Sequence, residues 1–175
     1  MTQTRDWSIE GEKDPPRVRP DWSAVNVPSL HGVVVKEVSN VLATNGYLTE
    51  VWRPDWRIDE QPAGHVIQRV YDAGTASAWN AHAHATDRIF CAVGRVRVAL
   101  YDGRRNSPTF GTAAGFCIGA ERPATVVVPP GVWHALRNIC DGPCVVINVV
   151  DRAYDYDDPD VFRLPLNTPL IPFTC

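Results

Sequence analysis

A chain of 175 residues, 45% apolar and 21% charged, has the length and composition of a soluble globular domain able to bury a sizeable core. Its net charge of −3, with no basic stripe, removes the electrostatic case for nucleic acid. No run approaches the roughly 20 apolar residues that span a bilayer, and the N-terminal segment lacks the apolar core of a signal peptide. The expected setting is the cytoplasm, with no membrane partner.

Fifteen prolines and twelve glycines favour short strands and frequent turns over long helices. The cysteines (Cys91, Cys117, Cys140, Cys144, Cys175) are odd in number and complete no paired metal-knuckle pattern, so they are expected to be reduced and structural. Scattered cations such as Arg104 and Arg105 are expected to be solvated turn charges.

Along the chain, residues 1–28 are polar and broken by prolines and read as a flexible or surface-draped arm, leaving 29–175 as the folded domain. A β-rich run at 31–38 precedes Thr44-Asn45-Gly46 and a second strand at 47–52, and Asn-Gly between β-prone runs signals a hairpin. Further strands are expected at 65–71, 77–84, 88–93, 95–101, 110–118, 125–128, 133–139 and 145–150. Val96, Val98 and Leu100 alternate with Arg95, Arg97 and Ala99, the period of a strand with one buried face. Many short strands with Gly, Pro and Asp turns predict an all-β antiparallel sandwich or barrel. The acidic, aromatic tail after Val150 lacks the Gly and closing Glu of an EF-hand loop.

Two segments carry chemistry. The first runs from Gly74 through Asn80, His82, His84 and Asp87 to Gly94; the second runs Pro129-Pro130-Gly131-Val132-Trp133-His134 and ends at Asn138. Their spacing resembles the two signature motifs of the cupins, with Asn80 in place of the first His and Asp87 in place of the Glu. The resemblance implies an antiparallel jelly-roll β-barrel. On one strand Asn80, His82 and His84 share a face, and His134 would meet them in the barrel interior. Histidines that converge there bind a metal, move protons or simply hydrogen-bond within the core.

Over roughly residues 30–172 the chain resembles the dTDP-4-dehydrorhamnose 3,5-epimerases, the RmlC-like cupins. The resemblance rests on Asn45-Gly-Tyr-Leu-Thr-Glu50-Val-Trp-Arg53, on Arg97-Val-Ala-Leu-Tyr-Asp102 followed by Ser107-Pro-Thr-Phe-Gly111, on Val128 to His134, and on Asp158-Pro-Asp160-Val-Phe-Arg163-Leu-Pro. By that resemblance the family's catalytic His falls at Asn80, a substrate-binding Arg at Ser77, the active-site Lys at Asp87, the acid Tyr near Asn148 and the orienting Asp near Thr168. Asn takes no proton at neutral pH, so base catalysis at position 80 is excluded.

Three readings follow. In the first, the chain is an isomerase or epimerase of a nucleotide-sugar or related keto compound, with His82 as base, Asp87 orienting it, His134 polarising the carbonyl and Asn80 beside them. In the second, His82, Asp87 and His134 hold one divalent ion (Fe, Mn, Zn or Ni), for oxygenase, lyase or isomerase chemistry; otherwise no cofactor is needed. In the third, the barrel is a non-catalytic binder. The resemblance also places Glu50 and Arg53 among nucleotide contacts, which in the family often reach into a neighbouring subunit's site, and it implies a homodimer formed by exchanged N-terminal strands, for which the 31–38 run is suited. Trp79 and Trp133 flank the polar cluster and either stack on a ligand ring or pack in the core. Asn148 completes the expected substrate contacts.

Overall fold

The computed structural model describes residues 11–21, 29–173 and 175. Of the arm expected at 1–28, residues 1–10 and 22–28 lie outside the described residues, and 11–21 are exposed. Twelve strands follow in order: β1 (Val34–Glu37), β2 (Asn40–Ala43), β3 (Gly46–Thr49), β4 (His65–Tyr71), β5 (Trp79–Ala81), β6 (Asp87–Val93), β7 (Arg95–Asp102), β8 (Ala113–Gly119), β9 (Ala124–Val128), β10 (Val132–Asn138), β11 (Cys144–Val150) and β12 (Phe162–Leu164). A 3-10 turn at Pro54–Trp56 is the sole helical element among the described residues.

Two five-stranded antiparallel sheets form the body, in the orders β1-β9-β6-β11-β4 and β12-β5-β10-β7-β8, and β2 and β3 make a separate hairpin. This is the all-β jelly-roll cupin barrel that the two motifs imply. The main core lies between the sheets and takes Ile89 and Cys91 from β6, Val96, Val98 and Leu100 from β7, Val126 and Val128 from β9, Leu136 from β10 and Val146 from β11. The intervening residues face outward, as the pleat requires. On the second sheet that outer face is covered as well. Trp79, Ala99 and Ala135 are buried with Ile171 and Cys175 of the tail, and Tyr101, Trp133 and Phe173 pack against them.

The structure departs from the sequence expectations at particular places. The 31–38 strand starts only at Val34, because Val33 N–H closes a turn onto the Leu30 carbonyl (3.0 Å). It pairs with β9, from Val34 opposite Val127 to Glu37 opposite Ala124. The Asn-Gly hairpin exists, but its first arm is the unforeseen β2. Arg104 is not a solvated turn charge. Its guanidinium pairs with the fully buried Asp102 (2.8 Å), which also accepts from Ser107 and Thr109 and so closes the Ser-Pro-Thr loop. All five cysteines are free, and Cys140 Sγ accepts from Arg95 N–H (2.9 Å).

Outside the barrel wall, Arg88 on β6 is completely buried. Its guanidinium donates to Asp59 and to the Pro62 and Gln61 carbonyls, and it lies over the Trp52 ring at 4.7 Å. This one cation fastens the 52–62 segment to β6. Removing Asp59 would strand a buried charge, which costs about 3–5 kcal/mol. Asp59→Ala is therefore expected to lower the urea midpoint sharply. Asp55→Ala, which breaks only the exposed pair with Arg53, is expected to leave it unchanged.

Candidate active site

Strand pleat decides which side chains reach the interior. Asn80 on β5 stands directly opposite His134 on β10, and both point inward while Trp79 and Trp133, one position away, point out. The expected strand at 77–84 stops at Ala81. The next turn is held by the Asp160 carboxylate, which accepts from the backbone N–H groups of Ala83 (2.7 Å), His84 and Ala85 (both 2.8 Å). That turn carries His82 to the mouth of the barrel, where its carbonyl accepts from Gly131 N–H (2.8 Å). Gly131 has φ +77, and a Cβ there would lie 2.6 Å from Arg104 Cγ, so the residue that joins the two motifs has to be glycine.

The interior cluster centres on Asp87, whose side chain is only 3% exposed. Its Oδ2 lies 3.1 Å from His82 Nε2 and 3.2 Å from His134 Nε2, and its Oδ1 accepts from Asn148 Nδ2 (2.9 Å). Asn148 in turn accepts from Arg88 N–H (3.0 Å) through its Oδ1, which fixes the orientation of its amide. The imidazole rings of His82 and His134 are tilted by 31° with centroids 5.6 Å apart. His82 Nδ1 bonds the Asp160 carbonyl.

Charge follows from these contacts. Burial opposes protonation of His82, but the Asp87 carboxylate and the Asp160 carbonyl outweigh it and raise the pKa to about 8. Burial likewise opposes ionisation of Asp87, and its contacts with His134 and His82 overcome that, holding the carboxyl well below the usual range. Both His82 nitrogens face acceptors, so at neutral pH the ring is an imidazolium. For His134, the carboxylate beside Nε2 keeps the proton on that nitrogen. Its Nδ1 is buried and has no hydrogen-bond partner among the described residues.

The cluster lies in a cavity of about 570 Å³. The structure brings His82, Asp87, His134, Asn80 and Asn148 together there, with His84 at its wall. It does not bring Trp79 or Trp133 there. Trp79 is wholly buried on the outer face, its indole N–H donating to the Leu166 carbonyl (3.2 Å), and Trp133 packs on that same face. Glu50 and Arg53, which the resemblance directs toward a neighbouring subunit's site, pair with one another at 3.4 Å outside this chain's own cavity lining.

Sequence reasoning missed His65, Arg69 and Tyr71 on β4, and Arg152, Asp160 and Arg163 in the tail, all of which line the cavity. The β4 set was within reach, because His65, Ile67, Arg69 and Tyr71 share one face at period two.

Among the described residues, His82, Asp87 and His134 are the one grouping with metal-like spacing, their ligand atoms all within 4.8 Å of one another. Two imidazoles and a carboxylate suit a divalent transition ion, and His82 already has its second nitrogen anchored on a carbonyl, as metal-bound histidines do. The donor set therefore fits such an ion.

Comparison with known proteins agrees with this architecture. A family model described as dTDP-4-dehydrorhamnose 3,5-epimerase matches residues 29–165. The "Probable low-salt glycan biosynthesis epimerase Agl13" of Haloferax volcanii is 34% identical over 141 residues, covering 79% of this chain and 90% of that protein. The crystal structure of a dTDP sugar isomerase from Desulfovibrio desulfuricans is 27% identical with a TM-score of 0.78, over 83% of this chain and 91% of the other. ChmJ, a 3'-monoepimerase from Streptomyces bikiniensis solved in complex with dTDP-quinovose, shares the fold at 18% identity and a TM-score of 0.74, over 83% of this chain and 76% of the other.

A histidine with a raised pKa stabilises the fold fully below its unfolded value of about 6.5 and loses that contribution as pH rises through its folded value. Stability is therefore expected to decline as pH rises from about 6.5 through about 8, the folded value of His82. In a proton NMR titration the His82 ring should have its midpoint near 8 in the wild type. In Asp87→Asn, with the largest contribution opposing burial removed, that midpoint should fall. A midpoint unmoved by Asp87→Asn would contradict the assignment.

Proposed function

The chain belongs to the dTDP-4-dehydrorhamnose 3,5-epimerase family, and from that premise we propose that it epimerises or isomerises a nucleotide-linked keto sugar, with His134, Asp87 and His82 handling the proton. The observation that carries this reading is a buried carboxylate shared by two histidines within one cavity. The family's own base position holds Asn80, so the proton-accepting group has to lie elsewhere.

The hydrogen bonds favour a different division of labour from the one expected on sequence grounds. His82 is cationic at neutral pH and has no lone pair to offer, so it is the group that stabilises negative charge on an enolate oxygen. His134 shares the buried Asp87 carboxylate, which orients its ring and supports the positive charge that forms on it, and on that geometry His134 is the base. The proton leaves the carbon beside the ketone and passes to the His134–Asp87 pair, the C–H electron pair moving into the enolate. Reprotonation from the opposite face inverts the centre. Tyr71 lines the same cavity, and burial raises its pKa, so its phenol stays protonated and is an acid available for that step. Arg69, Arg152 and Arg163 on the cavity wall supply positive charge suited to a diphosphate.

The donor set supports a second reading. A divalent ion held by His82, Asp87 and His134 would supply Lewis-acid polarisation of the substrate carbonyl. A homodimer is part of the proposal too. The exposed surface that supports it is the β2–β3 hairpin, where Leu42 is 83% and Leu48 68% exposed.

With dTDP-4-keto-6-deoxyglucose in deuterium oxide, the wild-type protein is expected to incorporate deuterium at a carbon beside the ketone. His134→Asn should slow this by about 10²–10⁴-fold, the usual contribution of a general base. The same preparation, assayed for metals and after chelation, separates the two catalytic readings: exchange that survives chelation supports the metal-free one. Absence of exchange, with the nucleotide sugar still raising the melting temperature, would overturn both in favour of a binding protein.

A further inference from the structure

Asn80 stands at the centre of a row that crosses three neighbouring strands of the second sheet. Arg163 of β12 lies opposite it on one side, and His134 of β10 lies opposite it on the other. Residues paired in register share one face of a sheet, and all three line the cavity. The next pair along the same two strands agrees with this facing: Leu164 lies opposite Trp79, and both pack on the outer side of the sheet. Two partners fix the Asn80 amide. The Ala78 carbonyl only accepts, so Nδ2 donates to it (2.9 Å), and Arg163 Nε only donates, so Oδ1 accepts from it (3.3 Å). That bond uses Nε and leaves both terminal amino groups of the exposed Arg163 without a partner among the described residues.

The cavity's arginines are held in different ways. Arg152 lies 3.5 Å from the Asp151 carboxylate, and Arg69 lies over the Tyr71 ring at 4.8 Å. Arg163 is held by a neutral amide and makes no ion pair among the described residues. A carboxylate in that place would orient the guanidinium but cancel its charge, whereas an amide orients it and leaves the charge for an anionic ligand. Adjacent strands lie about 4.8 Å apart, so Arg163 and His134 stand two strand spacings apart with Asn80 between them. A pyranose lying over Asn80 brings the carbon beside its ketone to His134 and the phosphate on its anomeric carbon to Arg163. We propose that Asn80 is a positioning residue: it aims Arg163, which binds the sugar-bearing phosphate of the nucleotide. The assignment rests on reading the cavity as a sugar-nucleotide site, and it gives a task to the one residue of the row that takes no proton.

The test measures dTDP and dTMP binding by calorimetry on the wild type, Asn80→Ala, Arg163→Gln and the double variant. dTDP carries the second phosphate, and dTMP lacks it. Arg163→Gln is expected to weaken dTDP about 10–100-fold and Asn80→Ala about 3–10-fold, with dTMP nearly unchanged in both. Because Asn80 acts through Arg163, the double variant should bind dTDP no more weakly than Arg163→Gln alone. Asn80→Asp keeps the side-chain shape and the acceptor for Nε but neutralises the guanidinium, so it should weaken dTDP at least as much as Asn80→Ala. Losses that simply add in the double variant, equal weakening of both ligands, or wild-type affinity in Asn80→Asp would each overturn the proposal. A wild-type protein that binds neither ligand would overturn the sugar-nucleotide reading itself, and this assignment with it.

Discussion

A carboxylate taken out of water must be surrounded by donors or it loses its charge, and Asp87 finds its donors on both sheets. It sits on β6 of the first sheet, with Asn148 on the neighbouring β11. His134 reaches it from β10 of the second sheet, and His82 from the turn that follows β5. The same contact that neutralises a buried charge therefore ties the two walls of the barrel together at the cavity. It also raises the pKa of His82, so the architecture and the chemistry rest on one carboxylate.

Adjacent positions on β6 do opposite jobs because a strand turns successive side chains to opposite faces. Asp87 faces the cavity, while Arg88 faces outward and holds the 52–62 segment through Asp59 and two carbonyls. Arg88 also donates its backbone N–H to Asn148, which aims the Asn148 amide at Asp87. The outer anchor and the inner site are thus linked through the side chain of one asparagine.

The tail contributes more than a covering. Asp160 takes three consecutive N–H groups at the end of β5 and offers its carbonyl to His82, and Asp151 accepts from Thr86 N–H just beyond (3.0 Å). Two tail carboxylates therefore shape the turn that presents His82. On the far side of the second sheet, Ile171 and Cys175 bury Trp79. A single stretch of chain finishes the core on one face and the site on the other.

The barrel class, the two motifs and the inward set of Asn80, His82, Asp87 and His134 were legible in the sequence. Motif spacing and period-two alternation are local properties, and local geometry alone decides which neighbours share a face. The same alternation, applied strictly, would have kept Trp79 and Trp133 out of the interior and put His65 and Arg69 into it, since each stands at odd or even distance from a residue of known facing. Other features depended on contacts far apart in the chain. Which histidine is cationic follows from how many acceptors its nitrogens meet, and those acceptors, Asp160 and Asp87, lie 78 residues beyond His82 and five beyond it. The burial of Arg104 against Asp102 and the pairing of β1 with β9 were likewise settled only by tertiary packing. Facing is set by the pleat of one strand, whereas charge and hydrogen-bond state are set by whatever the folded chain brings within about 3 Å.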